Sequence, residues 1–136
     1  MSFLKSKSEF NLDAASLLID NNCYAPSVHC SYYSVFQLLK HKFVVLKNIS
    51  FLVFSQNSRN DTRTSHKYLI DEFCLHLQSD TKNKLSIFDV RLLKRDIEDL
   101  KQFRIESDYD NIQINIEAST KALTLSESIL KRLKKI

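Results

Sequence analysis

A chain of 136 residues can bury one core, and 43% apolar against 26% charged residues is a globular balance that argues against global disorder. It has no glycine and one proline, which disfavours all-β domains and removes the P-loop and the GxGxxG fingerprint, since both need glycine where backbone approaches phosphate. The net charge of +4 is mild, and all-α is the expected class, because helix connections can be built from Asn, Asp, Ser and Lys.

In chain order, Ser8 is expected to cap a first helix in which Phe10, Ala14, Leu17 and Leu18 recur at helical spacing until Asp20-Asn21-Asn22 breaks it. Pro26 suits the first turn of a second helix, whose stripe is Val28, Tyr32, Val35, Phe36, Leu39, Phe43 and Leu46. Its end is open within residues 46–55, since Val53 and Phe54 can extend the stripe past Ser50. Gln56 to Ser65 (QNSRNDTRTS) reads as a mobile loop. A third helix from near Ser65 carries Leu69, Phe73 and Leu77, and residues 79–84 form a second polar connection. The fourth helix has Ile87, Val90, Leu93, Ile97, Leu100 and Phe103. The fifth offers Ala118, Ala122, Leu125, Ile129 and Leu133, with Leu123 and Leu130 widening its face. The expectation is one domain over residues 1–136, an up-and-down bundle of four to five antiparallel helices with the second and fourth as its spine.

Metal chemistry finds little support. His29 and Cys30 are adjacent, Cys74 and His76 are two apart, and only Glu72 and His76 share a helix face, as a surface pair would. No metal and no cofactor are expected, and no GxSxG elbow supports a serine nucleophile. Three cysteines without a CxxC, after an N-terminal stretch with no signal-peptide character, predict free, buried thiols and a cytoplasmic setting. The longest apolar run, Phe51 to Phe54, is too short to cross a bilayer, so no membrane is expected. The tail Lys131-Arg132-Leu133-Lys134-Lys135 reads as a helix C-terminus favoured by its dipole, in preference to a nucleic-acid patch.

The densest polar stretch is Arg104 to Asp110, RIESDYD. Arg104 and Asp108 share a helix face and can pair, whereas Glu106 and Asp110 are like-charged at the same spacing. Tyr109 is turned about 140° from Arg104, so the two cannot act on one atom unless the helix breaks or two copies meet. On the residues alone, the favoured reading is an ion-paired helix end with Tyr109 packed on a neighbour.

Three segments, YAPSVHCSYYSVFQLLKHKF, SHKYLIDEF and LKQFRIESDYDN, followed by a closing amphipathic helix, match a longer pattern. Its parts are an aromatic YY-x-x-F (Tyr32, Tyr33, Phe36), an [ST]-H-x-x-L (Ser65, His66, Leu69) and an R-x-x-[AS]-D-Y (Arg104, Ser107, Asp108, Tyr109). From about Asn22 onward the chain thus resembles the HEPN domain family. The resemblance implies a helical bundle that usually forms a homodimer, often in prokaryotic defence or toxin–antitoxin systems. Many members are metal-independent ribonucleases with an R-x(4–6)-H motif at the dimer cleft. Others accompany a nucleotidyltransferase or bind nucleotide or RNA.

Arg104 stands at the family's arginine, but Tyr109 holds the place of its histidine. At a reference pKa of about 10, against about 6.5 for histidine, tyrosine is a poor base near neutrality. It can still donate to a phosphate beside an arginine. Arg59 and His66 also satisfy R-x6-H, but they span the polar loop and the match reads as coincidence. The expectation is a homodimeric module that binds a nucleotide, RNA or a protein partner (a nucleotidyltransferase or an antitoxin) near Arg104, Asp108, Tyr109, Ser65, His66 and Tyr33. The alternative is a metal-independent ribonuclease drawing on Arg104, Tyr109 and His66 with an atypical base. For His66, a local hydrogen bond fixing the start of its helix is the favoured role.

Overall fold

The computed structural model describes residues 2–80, 82 and 85–136, and these hold six helices and no strand. They are α1 (Leu4–Asp20), α2 (Tyr24–Lys47), α3 (Phe51–Asn60), α4 (Ser65–Ser79), α5 (Ile87–Tyr109) and α6 (Ile116–Lys134). Part of the polar connection at 79–84 lies outside the described residues.

The expected stripes of α2, α4, α5 and α6 supply most of the core. Val28, Tyr32, Val35, Leu39 and Phe43 meet Leu69, Phe73 and Leu77, Val90, Leu93, Ile97 and Leu100, and Ala122, Ile129 and Leu133. Ile87, at the first turn of α5, is exposed instead. Without glycine, the chain turns its helix ends with asparagine, the residue that best tolerates left-handed backbone after glycine. Asn22 follows α1 at φ 61° and Asn48 ends α2 at φ 52°.

α1 corrects two expectations. It starts four residues before Ser8, with Phe3 at its cap position and no side-chain cap. Ser8 is buried against α2, where its hydroxyl donates to the Ser34 carbonyl at 2.6 Å and the Ser34 hydroxyl donates to the Ser8 carbonyl at 2.8 Å. Small residues, Ser8 and Ala15, make the inner face, while Phe10 (70% exposed) and Leu17 (63%) point outward. The expected stripe is thus split, with Phe10 and Leu17 outside and Ala14 and Leu18 half-buried.

α3 is the larger correction. Asn48 stops α2, and Ser50 accepts from the Val53 amide at 3.1 Å to start a new helix. Phe54 and Ser58 are buried on its inner side, while Gln56, Asn57, Arg59 and Asn60 face out. The expected loop over 56–65 therefore shrinks to residues 61–64. Topology explains why a helix is needed there. Arg104, Ser107 and Asp108 of α5 meet Tyr32, Ala25 and His29 of α2, so these two helices are antiparallel. Lys94 meets Asp71 in the middle of α4, and Arg104, further along α5, acts on His66 at the start of α4, so α4 and α5 are antiparallel as well. α2 and α4 hence run in the same direction, unlike strictly alternating neighbours. The chain must return along α2 before α4 begins, and ten residues of helix cover about 15 Å of that path. Phe54 seats the return segment between Phe43 (5.7 Å) and Tyr68 (5.8 Å).

Residues 61–64 are pinned by Arg63. Its guanidinium donates to Asp61 at 2.9 Å, Asp71 at 3.3 Å and Glu72 at 2.7 Å. Lys94 ties Asp71 to α5 at 3.2 Å, and Thr64 caps α4 by accepting from the Lys67 amide. The thiols are free: Cys74 is buried and pushed up to about 12 by desolvation, Cys30 is half-buried, and Cys23 is exposed, against expectation. No helix among the described residues is long and apolar enough to cross a membrane.

Candidate functional site

On α2, His29, Tyr33 and Phe36 fall at i, i+4 and i+7, next to the fully buried Tyr32. The last turns of α5 bring Arg104, Ser107 and Asp108 against this strip, with the Ser107 hydroxyl donating to the Ala25 carbonyl at 3.3 Å. The first turn of α4 adds His66.

Arg104 is only 7% exposed. Its guanidinium carbon lies 5.1 Å from the Tyr32 ring centre and 5.5 Å from that of Tyr33, within cation–π range. Its Nη1 is 3.5 Å from Asp108 Oδ2, and its Nε is buried with no partner. Asp108 Oδ2 is closer to His29 Nδ1, at 2.9 Å. The acid expected to neutralise Arg104 is therefore shared with an imidazole, and the guanidinium keeps donors to spend. An unsatisfied buried donor is costly, more so on a charged group.

His66 is tied to α2 and not to its own helix start, which Thr64 caps. Its Nδ1 lies 2.7 Å from the Tyr32 hydroxyl, and its ring stacks on Phe36 at 4.2 Å. Burial, then the charges of Arg104 and Lys101, lower its pKa to about 4, so it is neutral near pH 7. Burial pushes the Tyr32 hydroxyl upward, so it keeps its proton. With Tyr32 as donor, His66 carries its own proton on Nε2, which makes it a donor to a ligand and a weak base. Lys101 is itself lowered by burial, then by Lys67 and Arg104, with Glu98 and Asp71 opposing. A neutral histidine beside two cations is an environment that disfavours further positive charge and suits an anion.

The structure thus brings Arg104, Asp108, Tyr33 and His66 together. It leaves out Ser65, exposed at the start of α4, and Tyr109, which is 75% exposed at the end of α5 and not packed on a neighbour as expected. α5 stays helical to Tyr109, so within one chain that ring does not join Arg104. Arg59 is spent locally, donating to the Ser55 carbonyl. His29 and Lys101 are the additions. In sequence His29 enters only as a metal-ligand candidate that its adjacency to Cys30 sets aside, although its spacing to Tyr33 and Phe36 places it on the aromatic face. Among the described residues no group of three or more His, Cys, Asp and Glu is placed to hold a metal ion. No family model matches the chain, and no curated protein and no solved structure matches it.

Proposed function

We propose that the chain is a HEPN-like module that binds a phosphate-bearing ligand, a nucleotide or RNA, at Arg104. The observation that carries this reading is the buried guanidinium of Arg104, held between two tyrosine rings with its Nε unpaired. A phosphate would take the free donors of Arg104, with Lys101 adding charge and His66 a neutral donor. Tyr33, half-buried beside them, offers a ring face to a base. Homodimerisation belongs to the same reading. It draws on the resemblance and on Phe10 and Leu17, an outward pair at seven-residue spacing that a second copy would cover. A nucleotidyltransferase or antitoxin is the protein partner the resemblance suggests.

Titration with AMP and with inorganic phosphate tests the site. Wild-type protein is expected to bind AMP, and Arg104→Ala to weaken it at least about tenfold, the scale of removing a charge-assisted hydrogen bond. Arg104→Lys, which keeps the charge, separates lost recognition from lost folding. Equal affinity in all three would end the reading. A monomeric mass by light scattering at micromolar concentration would remove the dimer.

The ribonuclease alternative has one observation in its favour. Asp108 holds His29 by Nδ1 at 2.9 Å, which leaves the other ring nitrogen of a half-exposed imidazole beside the carboxylate that Arg104 contacts. His29, and not His66 or Tyr109, is then the base. RNA cleavage in the presence of a chelator, abolished in both His29→Ala and Arg104→Ala, would establish it; intact RNA excludes it.

A further inference from the structure

Further along α2, about nine residues or ~13 Å beyond Tyr32, three distant pieces of sequence meet. The start of α1, the later part of α2 and the end of α6 line a cleft of about 420 Å³ formed by Lys5, Glu9, Leu38, His41, Lys42 and Lys134. On the other side of the first turns of α1, a smaller cleft of about 250 Å³ is lined by Phe3, Lys7, Lys40 and Phe51, among others. Five lysines therefore surround α1's start, with Glu9 the one carboxylate among the lining residues. The lysine ion pairs of the described residues belong to Lys67 and Lys94, so these five have no carboxylate in contact. The basic tail of α6, which alone reads as a well-placed helix end, is here one wall of a larger positive surface.

Two features mark this surface as more than solvated lysines. His41 Nδ1 is buried in it without a partner. Burial, then Lys42 and Lys5, lower the pKa of that imidazole, so the cleft already repels one more positive charge. Beside the lysines, Phe3 is 71% exposed and shares the smaller cleft with Phe51. Cations alternating with an accessible ring are what a nucleic-acid strand needs, phosphates on the cations and bases on the ring. A flat lipid surface fits less well, because Lys5, Lys42 and Lys134 line a concavity.

We propose that this pole binds single-stranded nucleic acid, with phosphates in the Lys5–Lys42–Lys134 cleft and a base against Phe3. The surface is separate from Arg104 and stands whether or not that site binds a nucleotide. Anisotropy of a labelled oligouridylate at several salt concentrations tests it. Lys42→Glu/Lys134→Glu is expected to weaken binding at least about tenfold, and to flatten the dependence of log Kd on log salt by about 1.4, at ~0.7 for each phosphate no longer neutralised. Lys42→Gln/Lys134→Gln, a milder change that removes charge without reversing it, should fall between, and Phe3→Ala should cost about fivefold. Lys121→Glu reverses a charge near the other end of α6 and should change affinity less than about twofold. A thiouridine-bearing strand should crosslink at Phe3 or Phe51. Equal weakening in the remote and pole variants, crosslinking at Tyr33 with full affinity in the pole variants, or capture by phosphatidylserine vesicles in place of the strand would each overturn the proposal. Circular dichroism on every variant confirms the fold.

Discussion

Two arginines of this protein sit beside acids and tyrosines yet are used in opposite ways. Arg63 spends its donors: Nε, Nη1 and Nη2 reach Asp61, Asp71 and Glu72, and its guanidinium lies 5.2 Å from the Tyr68 ring. Arg104 is the more buried of the two, also lies over tyrosine rings, and comes no nearer than 3.5 Å to a carboxylate that His29 holds more closely. Burial normally demands more hydrogen bonding, not less. The difference separates a side chain whose work is finished by folding from one left with capacity for something else.

That contrast is broken most directly by measuring binding and melting for both arginines. Arg104→Ala is expected to weaken AMP binding by about tenfold or more while leaving the melting temperature nearly unchanged, because giving up the cation–π attraction is offset by removing an unpaired buried donor. Arg63→Ala should do the reverse, leaving AMP binding intact and lowering the melting temperature by a few degrees, since Asp61 and Glu72 then lose their cation and Asp71 keeps only Lys67 and Lys94. If Arg104→Ala melts far earlier than Arg63→Ala, Arg104 is structural and the contrast fails.

Acid titration sharpens the same comparison. Arg63 holds the Asp61 carboxyl down to about 2, and Lys67, Lys94 and Arg63 outweigh burial to hold Asp71 below its ordinary value. Stability from this network is present above the unfolded carboxylate pKa, about 4, and is lost as pH falls through about 2. His66 has its own window. Its folded value of about 4 lies below the ordinary 6.5, so the unfolded chain binds the proton first. Stability is full above about 6.5 and falls as pH drops towards 4, by about 1–2 kcal/mol once partial solvent screening is allowed for. Denaturant midpoints across pH 7 to 2 should show both declines. His66→Asn should shrink the upper one to the share that His41 contributes, and Arg63→Ala should shrink the lower one to the share that Asp71 keeps with Lys67 and Lys94. Unchanged slopes in either variant would disprove the corresponding assignment.

Much of the bundle is legible in sequence because its stripes are long and one-sided: Val28 to Phe43 and Val90 to Leu100 bury as their spacing implies. α3 is not, since Phe51 to Phe54 continues the pattern of α2 and the residues after it are polar. Only the pairing of Asn48 as a left-handed stop with Ser50 as a cap separates the two helices. The inner face of α1 is hidden because its buried positions are the small Ser8 and Ala15, while Phe10 and Leu17, the residues that set the apparent stripe, face out. At the site, Arg104 with Asp108 is a local pair visible at i, i+4. The contacts that set its character, His29 on Asp108 and Tyr32 on His66, join residues 79 and 34 positions apart and have no periodic signature.

The smallest expected effect is the most specific to Arg104. Asp108 Oδ2 is shared between His29 at 2.9 Å and Arg104 at 3.5 Å, and this carboxylate competes with the anion proposed for Arg104. Removing the imidazole with His29→Ala releases Asp108 to Arg104, which should weaken AMP binding by roughly threefold, the scale of a partly exposed ion pair. Asp108→Asn removes the carboxylate charge and should tighten binding by a similar factor. In the double variant, removing His29 no longer frees an anion to compete, so its affinity should match Asp108→Asn alone. Additive effects in place of that masking would mean that His29 touches the ligand itself, which would move it from a positioning residue to part of the binding surface.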